Sequence, residues 1–332
     1  MKNLYEGKTI LVTGGAGSIG SALVRKLLEF NPRTVRILDT NETGLFNLEQ
    51  ALHGKKTRFL VGDIKDKGRL VRAVEDVDII FHAAALKHVP LCESNPFEAV
   101  QTNVLGTKNL IEAALEEEVK KFVTISTDKA VNPINVLGAS KLLAERLTVS
   151  ANLYKGKRDT TFSCVRFGNV LNSQGSVLPI FMEQIKKGGP VTITDNGMTR
   201  FIMSIDKATE LVLKAAQMSE GGEIFILKMP VLRIKDLAKA MIEEMALSCG
   251  YAPEEIKMKF IGRRSGEKMY EELMNEDEAG IACETKDMFI LPSFECNKKA
   301  KGSRMPKIYK SQHSGSFMTV KEIKKLLKEV FI

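Results

Sequence analysis

Tryptophan is missing from this 332-residue chain, and aromatic residues make up only 6% of it. With so few aromatic faces there is no base-stacking platform of the kind that single-stranded nucleic acids need. The five cysteines, Cys92, Cys164, Cys249, Cys283 and Cys296, are scattered and form no CxxC pair. Neither a disulfide framework nor a structural zinc site follows from them, and no metal is expected. Nothing approaches the apolar run of about 18 residues that a membrane span requires. The first residues, Met1-Lys2-Asn3-Leu4-Tyr5-Glu6, lead straight into a strand, which suggests neither a signal peptide nor membrane insertion, and hence a cytoplasmic protein. The formal net charge of +8 is the one excess. Much of it falls at Lys298, Lys299, Lys301, Arg304, Lys307 and Lys310, in a polar stretch over 297–315 that reads as a surface arm. A basic balance alone does not argue for nucleic acid and suits a polyanionic small molecule equally well.

What is present is an alternation. Short β-branched runs at 9–12, 35–39, 57–63, 78–82, 121–126 and 161–166 are separated by helical patterns, among them 18–30, 103–117 and 139–153. That order predicts an α/β protein with a doubly wound parallel (Rossmann) sheet. After about residue 175 the pattern loosens into helices near 206–217, 234–248 and 320–330 with short strands between. The expectation is a dinucleotide-binding domain over 1–175 and a smaller mixed α/β substrate lobe over 176–332, with the chain crossing between the two.

Gly14, Gly17 and Gly20 stand in a GxxGxxG spacing directly after the first strand and at the start of a helix. Glycine there permits a tight turn and lets backbone N–H groups approach a pyrophosphate seated on the helix N-terminus. Ser18 and Ile19 open that helix. Asp39 ends the second strand, where a carboxylate accepts from the adenosine ribose and repels a 2′-phosphate, so NAD is favoured over NADP. Asp63 and Ile64 follow the third strand at the adenine position. Ala83, Ala84 and Ala85 follow the fourth and are small enough for a dinucleotide to lie across the sheet edge. His82 beside them reads as a packed strand-end residue.

The fifth strand runs into Thr127-Asp128-Lys129. A carboxyl and an amine side by side can give one proton and take another, which suits removal of water from a sugar. A solvated loop pair is the plain alternative, but the ligand-binding edge of an open α/β sheet favours chemistry. Arg264, between Gly262 and Gly266, has the guanidinium geometry that matches a diphosphate.

These residues resemble the extended short-chain dehydrogenase/reductases, and among them the UDP-N-acetylglucosamine 4,6-dehydratases of polysaccharide biosynthesis, closest to the capsule-type inverting enzymes. The similarity is carried by TGGAGSIG (13–20), HAAALKHVP (82–90), TNVLGTKNL (102–110), STDKAVNPINVLGASK (126–141), RFGNVLNSQGSVLP (166–179), ITDNGMTRF (193–201) and GRRSGEKMYEEL (262–273), spanning nearly the whole chain. The resemblance implies an NAD(P)-dependent lyase, a UDP-sugar substrate and a homo-oligomer. It implies Asp128 and Lys129 as acid and base and Lys141 at the nicotinamide ribose; beside these carried-over roles, Thr127 or a bound water is read as the relay of the Asp128 proton. The resemblance further implies Asn103 and Val170 near the cofactor, and Lys87, Asn169, Thr194, Arg264, Glu267 and, more loosely, Arg200 at the substrate. Lys129 must be neutral to act as a base, so its pKa is expected to be lowered. One departure stands out: the superfamily's tyrosine, four residues before the lysine, is Leu137 here. A UDP-hexose 4-epimerase is the rival activity, and a catalytically decayed dinucleotide-binding protein the non-enzymatic one.

Overall fold

The computed structural model describes residues 4–173, 175–263, 266–293, 309–312 and 317–331. Six strands form where the β-branched runs lie: β1 Thr9–Thr13, β2 Thr34–Asp39, β3 Thr57–Val61, β4 Ile79–His82, β5 Lys121–Thr127 and β6 Thr161–Phe167. Between them run α1 Ser18–Leu28, α2 Glu42–Ala51, α3 Lys67–Val74, α4 Val89–Ser94, α5 Pro96–Ala99, α6 Thr107–Glu116 and α7 Val136–Tyr154. The second half adds β7 Asn169–Val170, β8 Val191–Ile193, β9 Thr199–Met203, β10 Ile224–Leu227, β11 Val231–Arg233, β12 Met258–Phe260, β13 Glu272–Met274, β14 Cys283–Glu284, β15 Met288–Leu291 and β16 Tyr309–Lys310. Its helices are α8 Val177–Lys186, α9 Ile205–Met218, α10 Ile234–Met245, α11 Glu276–Ile281 and α12 Val320–Phe331.

The main sheet has nine strands in the order β14-β15-β10-β6-β5-β4-β1-β2-β3. Pairings from β10 through β3 are parallel, and β15 and β14 close the far edge antiparallel. Both faces are covered, so β1 reads as a continuous apolar run. Ile10 and Val12 pack with Leu23, Val24 and Leu27 of α1, while Leu11 packs on the opposite face with Leu70, Ile80 and Phe122. Each such side chain contributes about 1.5–3 kcal/mol on burial. The strand order reverses at β1, between β4 and β2, and in open α/β sheets ligands lie outside the carboxyl ends at that point.

A second core gathers Leu178, Phe181 and Ile185 of α8, Val191 and Ile193 of β8, Leu237 and Met241 of α10, and Leu327 of α12. The first half does not own the main sheet, since β10, β14 and β15 return to it from beyond residue 175. The single helix expected over 103–117 is in fact a π-helical turn, Val100–Gly106, running into α6. The π-turn carries Asn103, whose side chain bonds the Leu86 backbone in both directions and also Ser140 Oγ. Such bulges recur at functional sites. Among the described residues no helix is long and apolar enough to cross a membrane.

Candidate active site

A cavity of about 920 Å³ opens over the carboxyl ends of β1, β2, β4, β5 and β6. Its floor is the glycine turn. Gly14 sits at φ +67°, and a Cβ there would meet the Ala84 nitrogen at 2.6 Å. At Gly20 a Cβ would lie 2.1 Å from the Gly14 carbonyl oxygen, so α1 approaches the turn only because this residue is glycine. Gly17 caps α1 without a side-chain bond, and the first turn of the helix, Ser18 to Gly20, lines the cavity. A helix N-terminus at such a cavity attracts an anion.

Ser18, Ile19, Asp39, Asp63, Ile64, Ala83, Ala84, Ala85, Val170 and Lys141 also line the cavity. Asp39 braces the turn, its Oδ2 accepting from Ala16 N–H and its Oδ1 from Asn41 N–H. Lys141, on α7, donates to the Ile125 carbonyl at 2.6 Å, and burial brings its pKa down to about 8. His82 is buried behind the wall, its ring nitrogens on Thr13 Oγ1 and Thr107 Oγ1; burial, with Lys141 nearby, lowers its pKa to about 3 and keeps it neutral. A glycine cradle at a helix N-terminus, a carboxylate at the end of β2 and a lysine deeper in the cavity fit a dinucleotide. Asn103 does not line this space; it supports the Leu86 backbone from behind.

The Thr127-Asp128-Lys129 cluster lies at the end of β5. Thr127 and Lys129 line the cavity, whereas Asp128 has no exposed surface and lies behind them. Asp128 Oδ1 accepts from Lys129 Nζ at 2.9 Å and from Thr127 Oγ1 at 2.9 Å. Its Oδ2 is buried without a hydrogen-bond partner among the described residues. Leu137 is 3% exposed and lines the cavity where the superfamily places its tyrosine, so it offers apolar surface and no proton.

One expectation is overturned. Burial pulls the Lys129 ammonium toward neutrality, but Asp128 and a second carboxylate, Glu271, outweigh both burial and the nearby Arg200. Its pKa stands above the ordinary lysine value. Glu271 lies 3.6 Å from Lys129 Nζ. Sequence reasoning missed it, because Glu271 and Glu272 are adjacent and identical in type; Glu272, the first residue of β13, bonds Asn132 and Lys310 instead.

The implied substrate residues divide. Lys87 and Asn169 line the cavity, and Asn169 Oδ1 is buried without a partner among the described residues. Thr194, Arg200 and Glu267 do not line it. The Thr194 hydroxyl lies against Met198 Sδ at 3.3 Å. The Arg200 guanidinium is committed to the carbonyls of Thr199, Lys268 and Met269 and to the carboxylates of Glu267 and Glu271, so it is not presented to a diphosphate in this cavity. Arg264 and most of the basic arm fall outside the described residues.

Away from the cavity, Arg166 is fully buried between Glu145 of α7 and Glu278 of α11, and Ser126 donates to the same Glu145. This network ties the ends of β5 and β6 to the helix that carries Lys141.

Residues 10–293 match the family model described as polysaccharide biosynthesis protein. A Methanocaldococcus jannaschii protein, named an uncharacterised membrane protein, is 61% identical over 99% of this chain and 98% of its own length. A Campylobacter jejuni UDP-N-acetylglucosamine 4,6-dehydratase (inverting) is 40% identical over 88% of this chain and 85% of its own. A Rickettsia rickettsii UDP-glucose 4-epimerase is 39% identical over 87% and 84%. Among solved structures, Pen from Bacillus thuringiensis superposes with a TM-score of 0.92 at 44% identity, covering 98% of both chains. A Streptomyces venezuelae dTDP-glucose 4,6-dehydratase with NAD bound superposes at 0.70 and 26% identity, covering 79% of this chain and 86% of its own. On a match that spans most of its length, the chain belongs to the polysaccharide biosynthesis protein family, built on the short-chain dehydrogenase/reductase fold.

Proposed function

We propose that this protein is a UDP-N-acetylglucosamine 4,6-dehydratase that inverts C5 and forms a UDP-4-keto-6-deoxy sugar for polysaccharide synthesis. The observation that carries this reading is the Thr127-Asp128-Lys129 cluster, with two of its members on the wall of a cavity that also holds the glycine turn. The Campylobacter relative supports the substrate and the stereochemistry. Asp39 at the second strand end supports NAD over NADP. The substrate is a UDP-sugar.

The bound dinucleotide would take up hydride from C4 of the hexose and return it at C6. The protein's own task is to move protons at C5 and O6. At rest Lys129 is an ammonium paired with Asp128. A single proton transfer along their 2.9 Å contact yields a free amine and a carboxylic acid together, the two forms this chemistry needs. Lys129 then takes the C5 proton, which the 4-ketone has acidified. Asp128 releases its proton through Thr127 Oγ1, which reaches the cavity where Asp128 does not, so that O6 departs as water. The proton lost from the C4 hydroxyl on oxidation would pass to solvent water, and water on the opposite ring face would return one to C5, which inverts the centre.

Leu91, Phe97 and Leu143 stay exposed on α4, α5 and α7, which suits the expected homo-oligomer. The Rickettsia relative keeps 4-epimerisation as the second reading. Incubation with UDP-N-acetylglucosamine and NAD+ separates the two. Dehydration lowers the product mass by one water, whereas epimerisation leaves it unchanged.

A further inference from the structure

We propose that Glu271 is a positioning residue for this chemistry, a second carboxylate that anchors the Lys129 ammonium at the cavity wall and governs how readily it surrenders its proton. Its catalytic meaning rests on the dehydratase reading, but its effect on Lys129 does not.

The geometry is specific. Glu271 is 2% exposed and stands just before β13, its backbone fixed on both sides by Ser311: Glu271 N–H donates to Ser311 Oγ, and Ser311 N–H donates to the Glu271 carbonyl. Its Oε1 is shared between Lys129 Nζ at 3.6 Å and Arg200 Nε at 3.8 Å. Its Oε2 is buried with no hydrogen-bond partner among the described residues. A buried carboxylate so sparsely bonded is costly unless charges hold it. Those facing it are Lys129 and Asp128 from the turn after β5, Arg200 from β9, and Lys268 from its own segment. Arg200 is in turn drawn toward Glu267 at 3.7 Å.

Lys129 therefore sits between two carboxylates with different jobs. Asp128 makes the 2.9 Å hydrogen bond through which a proton can pass. Glu271 is too distant for a strong bond and acts through its charge. Arg200 weakens that hold, because it competes for the same oxygen.

Competitive labelling of the full chain with a trace amine reagent, read residue by residue by mass spectrometry across pH, gives the titration midpoint of Lys129. In the wild type the midpoint is expected above that of exposed lysines in the same sample. Glu271→Gln, which keeps the shape and removes the charge, should lower it by about one unit or more. Glu271→Asp should restore most of the difference. Arg200→Gln should move the midpoint the other way. A wild-type midpoint at or below that of the exposed lysines overturns the proposal, and this reading needs no variant to fold. An unchanged midpoint in folded Glu271→Gln overturns it as well. Labelling needs no turnover, so a protein that fails to dehydrate UDP-N-acetylglucosamine but shows these shifts refutes the substrate reading and leaves Glu271 standing.

Discussion

Lys129 Nζ donates a 2.9 Å hydrogen bond to Asp128 Oδ1, yet only the lysine faces the cavity; the carboxylate has no exposed surface at all. The acid of the pair is thus screened from bulk water and reaches the cavity through its neighbours.

Asp128→Asn removes the proton store and keeps the shape. Dehydration should fall by about 10²–10⁴-fold. Dinucleotide affinity, followed by fluorescence titration, should hold, because the carboxylate touches none of the glycine turn. Full activity in this variant would refute the assignment.

Of the two Oδ1 donors to Asp128 among the described residues, Thr127 is the hydroxyl on the cavity wall. Thr127→Val should cost dehydration in kcat more than in KM, and Thr127→Ser should recover most of the rate. Equal rates for Val and Ser would remove the relay.

Lys141 has a pKa of about 8 when folded, against an ordinary 10.5, because burial disfavours its charge. Between those values the unfolded chain binds more protons than the folded one, so the wild type gains stability as pH rises from about 8 to 10.5. Below pH 8 the full penalty is present. Lys141→Met should therefore unfold at a higher temperature than wild type at pH 7, by about 1–3 kcal/mol in stability. The difference should shrink toward pH 10.5, and the variant should bind the dinucleotide poorly. Thermal melts across that range check the sign.

Gly20→Ala places a methyl group 2.1 Å from the Gly14 carbonyl oxygen and should cost about 3 kcal/mol or more, with loss of cofactor binding. Gly280→Ala, in α11 with open space around it, should change stability by about 1 kcal/mol or less and in the stabilising direction. Chemical denaturation of both variants makes the comparison.

Arg166→Met leaves Glu145 and Glu278 buried without their cation and should cost about 3–5 kcal/mol. Pairing it with Glu145→Gln and Glu278→Gln should recover much of the loss, read from urea midpoints.

The parallel sheet was legible because β1, β4, β5 and β6 are buried nearly throughout and write themselves as apolar, β-branched runs, while β3 at the edge keeps the same run half open. The glycine turn was legible because its spacing encodes a backbone path. Thr127, Lys129 and Lys141 could be found from the strand that carries them and the helix behind it. Glu271 was not, since its partners come from segments far apart in the chain and its neighbour Glu272 has the same chemistry. That omission is also why Lys129 was expected to have a lowered pKa. Arg200 illustrates the converse: an arginine at the right place in a motif turns inward when carbonyls and carboxylates claim its N–H groups. The π-turn at 100–106 arises from tertiary bonds of Asn103 that no local periodicity reports.

Proton removal from C5 is tested most directly by turnover of UDP-N-acetylglucosamine with NAD+ in deuterated water, read by NMR and mass spectrometry. The expected product has lost one water, carries a single deuterium at C5 with inverted ring couplings, and is absent when Lys129 is replaced by Met. A product of unchanged mass, epimerised at C4 and free of deuterium at C5, would contradict the role given to Lys129.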